Sequence, residues 1–372
     1  MKIKKIETVV IQIPFKSGFF VGGSKLAVRD NIIVKIFTDD GYIGYGYTDG
    51  YGSARVLSLI VDELLKPHIL GKDSLDIENL WYEMYERNRQ VGRRGAIIRA
   101  MSAVDIALWD IKCKHANLPL GKLLGLYKEK TPIYTSGGYY REFGEKGLEE
   151  LREEMLFFAN KNYKAVKMRV GLAPIEEDVV RIKVAKEALG DKAVLMLDAE
   201  FVWEDAYTAI KSIKAFEKAA DIYWIEGPVE LQRISMHREI RRAVNTPIAT
   251  GGQCYTHHEF KHFIDAEAID ILQADVIVCG GITEWIKIAH MADVYDLKIS
   301  PHENWNLHAS LCAAVNNSLF IEYFELERGV KVFDKIVKNP VKPDSEGFIY
   351  PPKGIGLGFE YDEDKIEEYR VK

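Results

Sequence analysis

The sequence predicts an α/β protein in which an α+β segment precedes a parallel β/α barrel. Short β-prone runs, each followed by an amphipathic stretch, recur from Pro132 onward. Lys167 to Glu322 spans 155 residues in six such steps, about 26 each, and one strand, one helix and two connections need about 25. Polar or charged residues close most of these runs. Eight strands in succession point to a barrel, with an open doubly wound sheet as the competing arrangement.

Ile3–Ile13 alternates as a strand. Asn31–Phe37 and Tyr42–Tyr47 flank Asp39-Asp40-Gly41, which reads as a hairpin turn. Between the first two strands lies Lys16–Ser24, rich in glycine and carrying Phe19 and Phe20. Tyr47–Ser53, with Tyr51, is a second such stretch. Both read as surface loops able to close over a site. Helical patterning runs from Ala54 to His115, and Ile98–Ile111 has the three-to-four apolar spacing of a buried helix. Asn117-Leu-Pro ends that segment. The expected barrel strands are Ile133–Thr135, Ala165–Met168, Ala193–Leu197, Ile222–Ile225, Ile248–Thr250, Ile271–Ala274, Leu297–Ser300 and Phe320–Tyr323. The tail, Phe333–Lys372, returns to short extended pieces and is expected to fold back on the N-terminal part.

Composition bounds the function. The 372 residues are 47% hydrophobic and 28% charged, with net charge −6. That balance suits a folded globular chain and offers no electrostatic footprint for nucleic acid or an anionic membrane. No apolar run approaches the ~18 residues of a bilayer span, and no apolar signal core follows the basic N-terminus. Cys113, Cys254, Cys279 and Cys312 lie far apart without a CxxC pair. They read as reduced thiols of a cytoplasmic protein, not as a disulfide framework or a zinc site.

In a β/α barrel the chemistry comes from the carboxyl ends of different strands. Here those ends are Lys167-Met-Arg169, Asp198-Ala-Glu200, Glu226, Gly251-Gly252-Gln253, Gln273-Ala-Asp275, Ser300-Pro-His302 and Glu322. Strand alternation aims Lys167 and Arg169 to one side, and likewise Asp198 and Glu200. Acids on neighbouring strands make a hard-oxygen site suited to Mg²⁺, with bases of different type beside it. Each residue alone is weak evidence, since an acid after a strand is usually a helix N-cap. The joint pattern carries the reading.

These motifs, together with Ala107-Leu-Trp-Asp-Ile-Lys through Gly125, Pro247-Ile-Ala-Thr-Gly251 and Gly280-Gly-Ile-Thr, resemble the enolase superfamily and its mandelate racemase subgroup. The resemblance covers nearly the whole chain. It implies a (β/α)7β TIM-like barrel with an α+β N-terminal capping domain. The expected boundaries are 1–125 for the cap, 126–330 for the barrel and 331–372 for a C-terminal segment packing back on the cap. It implies Asp198 and Glu226 as metal ligands and one Mg²⁺ per subunit. It further implies an Asp275–His302 dyad in which the carboxylate orients the imidazole, Lys167 and Arg169 as the second-strand pair, and Glu322 as an acid that hydrogen-bonds the substrate carboxylate. The superfamily is a known case of a Lys or His base working with Mg²⁺ at an ene-diolate, and the resemblance carries that chemistry over.

Three positions depart from the family pattern. Gly252 stands where a glutamate supplies the third metal ligand. Glu200 replaces an asparagine, and Gly227 replaces an acid or amide. Glu200 is a candidate substitute ligand; its alternative role is contact with substrate or Lys167, with a weak metal site or none. The function expected is Mg²⁺-dependent abstraction of the proton α to a carboxylate and dehydration of an acid sugar to a 2-keto-3-deoxy acid. Arg169 is a poor base because its pKa exceeds ~12, and Lys167 serves only with a depressed pKa, so His302 is the better single base. The alternatives are a racemase or epimerase of a small carboxylate, and a metal-poor, ligand-binding, non-catalytic relative. Phe20, Tyr51 and Trp305 are candidate substrate contacts. The partner expected is a small carboxylate, with no nucleic acid and no membrane, and a homo-oligomer is expected.

Overall fold

The computed structural model describes residues 1–372 apart from 22, 23, 141–143, 330 and 372, and apart from the side chains of 16–21, 24–26, 192 and 328. The chain opens with three antiparallel strands, β1 (Ile3–Val21), β2 (Ser24–Thr38) and β3 (Ile43–Asp49). The stretch expected as a loop from Lys16 is instead paired. Phe19 to Val21 face Leu26 to Ser24, after an irregularity between Pro14 and Phe19. The reason is local: a proline cannot donate to the ladder, so the register slips there, and the β-prone Phe-Phe-Val run then resumes it.

Helices α1 (Ala54–Leu59), α2 (Lys66–Ile69), α3 (Ile77–Asn88), α4 (Ala96–His115) and α5 (Leu120–Leu124) follow, with a π-helical turn at Ile60–Leu65. α4 is buried along most of its length. It lies so close to β3 that a Cβ added to Gly46 would sit 1.9 Å from the Ala103 carbonyl oxygen. Only a glycine admits that approach.

Eight parallel strands come next: β4 (Thr131–Gly137), β5 (Ala165–Arg169), β6 (Val194–Asp198), β7 (Ile222–Glu226), β8 (Ile248–Thr250), β9 (Ile271–Leu272), β10 (Lys298–Ile299) and β11 (Ile321–Tyr323). Helices α6 to α12 alternate with them (Gly144–Asn160, Ile175–Leu189, Ala206–Glu217, Ile234–Ala243, Thr256–Asp265, Ile282–Val294 and Trp305–Ala314). The strand order is β10-β9-β8-β7-β6-β5-β4-β11, a curled parallel sheet. The Ile299 amide donates to Asn317 O, and Leu319 N donates back to Ile299 O. β10 therefore meets the run leading into β11.

Alternation layers the interior. Tyr134, Ala165, Met196, Trp224, Ala249 and Ile271 form one apolar cluster. Two residues further along their strands stand Lys167, Asp198 and Glu226. A period of two makes the same strands supply an apolar floor and then a charged layer. The tail adds β12 (Phe348–Ile349), antiparallel to β4, and α13 (Glu363–Glu368). Gln12 N donates to Tyr369 O and Val371 N to Val10 O, so the tail reaches β1.

Candidate active site

Lys167 is the buried hub of the charged layer, only 2% exposed. Its Nζ lies 2.7 Å from Glu226 Oε2, 2.8 Å from Glu322 Oε1 and 3.2 Å from Asp198 Oδ2. Burial alone would lower the ammonium's pKa, but Glu226 and Glu322 lead the partners that raise it well above the ordinary lysine value. Asp198 Oδ2 also lies 2.5 Å from Arg169. Burial raises the Asp198 carboxyl, yet the two cations, Arg169 foremost, hold it below the usual range. Glu226 goes the other way, raised by burial and then by Asp198. Neighbouring acids with pKa values pushed apart mark a tuned site.

Across the cavity stands the imidazole. His302 Nδ1 lies 3.0 Å from Asp275 Oδ2, and Asn304 Nδ2 donates to both Asp275 oxygens at 2.9 and 3.0 Å. That clamp leaves Nε2 as the nitrogen free to exchange a proton. Burial lowers the ring's pKa, but Glu303, the Asp275 hydrogen bond and Glu322 outweigh it and raise it to about 9.

One cavity is lined by Arg169, Asp198, Glu200, Glu226, Gln273 and His302 and, from the other side, by Arg29, Tyr51, Glu303 and Lys331; Lys167 and Asp275 stand behind it, bonded to Glu226 and His302. Gln273 Nε2 donates to Glu226 Oε2 at 2.7 Å. Gln273 Oε1 is buried without a hydrogen-bond partner. Around Lys167 and Arg169, the described carboxylates are Asp198, Glu200, Glu226 and Glu322. Two cations against four acids leave an excess of two negative charges. Paired in register on adjacent strands, Asp198 and Glu226 offer hard oxygens, and the donor set fits one divalent cation.

The expected residues divide. Lys167, Arg169, Asp198, Glu226, Asp275 and His302 come together. Glu322, like Lys167 and Asp275, does not line the cavity. It is 1% exposed, and Ser136 Oγ, the Glu303 amide and Lys167 use its oxygens. Glu200 lines the cavity but faces Arg169 at 3.9 Å. Among the described residues, Asp275, His302 and Glu303 form the cluster whose ligand atoms all lie within 4.8 Å; Asp198, Glu226 and Glu200 form none. Tyr51 lines the cavity with its hydroxyl 3.2 Å from Arg29. Trp305 corrects an expectation: it is buried at the start of α12, and its indole donates to Val341 O, so it holds the tail instead of facing the cavity. The Phe20 side chain lies outside the described residues. Sequence reasoning missed Arg29, Glu303 and Lys331. Glu303 follows the dyad histidine directly, which was a usable signal; Arg29 and Lys331 lie far from any strand end of the barrel.

Gly252 is explained by its neighbour. A Cβ there would lie 2.9 Å from His302 Cγ. The imidazole occupies the space that a side chain at 252 would need.

Residues 6–125 match the N-terminal domain of mandelate racemase / muconate lactonizing enzyme, and residues 150–365 match the enolase C-terminal domain-like family. Arabinonate dehydratase of Saccharolobus solfataricus is 35% identical over 348 residues, covering 92% of this chain and 91% of the relative. L-talarate/galactarate dehydratase of Salmonella typhimurium is 33% identical, covering 79% of this chain and 73% of the relative. A racemase from Streptomyces coelicolor, crystallised with bound magnesium, superposes with a TM-score of 0.91 at 28% identity, covering 99% of this chain and 100% of that one. On these matches the chain belongs to the mandelate racemase / muconate lactonizing enzyme family of the enolase superfamily.

Proposed function

We propose that the protein removes the proton α to the carboxylate of an acid sugar and expels a β-hydroxyl as water, giving a 2-keto-3-deoxy acid. The observation that carries this reading is the Asp275–His302 pair opening onto the cavity that Asp198 and Glu226 also line. Asp198 and Glu226 would hold a magnesium ion, which would supply positive charge at the substrate carboxylate, where negative charge develops.

The residues do the rest. Asp275 accepts a hydrogen bond from Nδ1–H of His302 and so fixes the tautomer. His302 Nε2 takes the C2 proton, and the C2–H electron pair moves toward the carboxylate. The C3–O bond then breaks, and the proton on His302 returns to the departing hydroxide. The released enol tautomerises to the ketone. A positioned base of this kind contributes about 10²–10⁴-fold. Lys167 and Arg169 add fixed positive charge beside the carboxylate and cost no reorganisation when the charge appears.

Racemisation needs a second competent base. Lys167 is the candidate, and its three acid partners keep it protonated. One good base favours elimination. The relatives named above include dehydratases acting on acid sugars and a racemase. The same reading closes the parallel sheet into a (β/α)7β barrel, with Ile299 bonded to the run before β11.

A screen of acid sugars with Mg²⁺, reading both 2-keto product and deuterium incorporation from D₂O, tests the reading. Water loss from at least one acid supports it. Exchange with inversion at C2 and no ketone assigns a racemase instead. Bound sugar acid without turnover or metal dependence assigns the non-catalytic alternative.

A further inference from the structure

Arg29 (β2) and Lys331 reach the same cavity from outside the barrel strands, yet neither offers an unused charge. The Arg29 guanidinium pairs with Asp49 and lies 3.0 Å from Glu303 Oε2. It also stacks over the Tyr51 ring, 4.5 Å from its centroid. Lys331 Nζ is paired with the same Glu303 oxygen. Glu303 Oε1 lies 3.7 Å from His302 Nε2. The four charged side chains of this wall are nearly buried, Arg29 9%, Asp49 8%, Glu303 12% and Lys331 10% exposed. Two cations are thus answered by two acids, Asp49 and Glu303, within the wall. Lys331 has its pKa lowered, first by burial and then by Arg29, while Lys331, His302 and Arg29 hold the Glu303 carboxyl well below its ordinary range against its burial.

The charge balance of this wall decides what it can hold. A second substrate carboxylate would have to displace Glu303 from both cations, or lie beside it as an uncompensated like charge in a confined space. A hydroxyl does neither. It can donate to Glu303 and accept from Lys331, so each partner stays satisfied. Resting on the dehydratase reading above, we infer that the substrate is an aldonic acid, with one carboxylate at C1 and an alcohol at its far end, and that Glu303 is the residue that excludes the corresponding diacid, the aldaric acid. Glu303 is already inside the wall in place of a substrate anion, and its removal from the charge balance admits one.

The test uses the full-length protein with Mg²⁺ and matched pairs of aldonate and aldarate of one configuration: arabinonate with arabinarate, xylonate with xylarate, gluconate with glucarate, and galactonate with galactarate. In the best pair, kcat/KM for the aldonate exceeds that for the aldarate by at least ~100-fold, about 2.7 kcal/mol at 1.36 kcal/mol per tenfold. Glu303→Gln removes the resident charge and narrows that ratio at least tenfold, mainly by lowering KM for the aldarate. Aldarates turned over as well as aldonates overturn the inference and leave the dehydratase reading standing. A panel in which no acid is processed or bound removes both. A Glu303→Gln protein that folds and binds metal but keeps the wild-type ratio shows that another group sets the preference. Should that variant not fold, the wild-type panel alone decides.

Discussion

At His302 three constraints meet in one ring. Asp275, itself held by Asn304, fixes one nitrogen, Glu303 faces the other, and Gly252 leaves the space the ring fills. His302→Asn is expected to abolish α-proton exchange in D₂O, a loss of at least ~10³-fold from removal of the base; exchange that persists would move the base to another residue. Because the ring is raised to about 9, it is charged at neutral pH and must lose its proton to act. kcat/KM therefore climbs with pH through about 9 and levels only above it. Asp275→Asn removes a group that raises the ring, so its ascending limb shifts to lower pH while the rate falls. A limb that stays in place in a pH–rate profile of that variant would assign the titration elsewhere. Gly252→Glu restores the family's acid but drives a Cβ into the imidazole. Its expected effect is a ~10²-fold fall in kcat, the scale of an ångström of misplacement, with no gain in metal affinity by calorimetry. Glu200→Gln leaves Mg²⁺ affinity within about threefold, since Glu200 faces Arg169 and not the Asp198–Glu226 pair; a tenfold or larger loss would return it to the ligand shell.

The elements hold that geometry by the way the cap grips the barrel. Ser102, Asp105 and Trp109 project from α4 onto the Gly280–Thr283 turn that opens α11. Asp105 accepts from the Thr283 amide at 3.0 Å and its hydroxyl at 2.6 Å. Burial raises Asp105 to about 7 against the help of those bonds. The sign follows from the two states. Below about pH 4 the carboxyl is protonated both folded and unfolded, and pH has no effect through it. Between pH 4 and 7 the unfolded chain ionises while the folded one keeps its proton, so stability falls as pH rises. The loss totals on the order of 4 kcal/mol at 1.36 kcal/mol per unit. In thermal melts, Asp105→Asn lacks that slope, so its Tm gains on wild type between pH 5 and pH 8. A constant difference across that range would show Asp105 ionised throughout. These contacts were not legible beforehand. The α4 pattern marked a buried helix, but periodicity says which face is apolar, not which polar residue finds a partner 178 positions away.

For the whole molecule, the cation proposed at Asp198 and Glu226 would link site and stability. A cation that binds only the folded chain stabilises it by about 2.7 kcal/mol at a hundred times its dissociation constant. Mg²⁺ is therefore expected to raise Tm by several degrees, and Asp198→Asn to remove most of that rise. An unchanged melt with millimolar Mg²⁺ would break the link between the Asp198–Glu226 pair and the cation. Among the described residues no helix is long and apolar enough to cross a membrane, and the four cysteines are free and buried.

Local chemistry fixed much of this protein in advance. The alternation of strands and helices set the order of the parallel sheet, and period-two alternation placed Lys167, Asp198 and Glu226 in one layer above an apolar one. Those are short-range properties of a chain, readable from neighbours in sequence. Only the tertiary structure brought Arg29 and Lys331 onto Glu303, set Glu322 behind Lys167, turned Trp305 toward the tail and seated His302 against Gly252. Those contacts join residues up to 274 positions apart. Charge pairing and steric fit at such separations depend on where the packed elements converge, which no local pattern encodes.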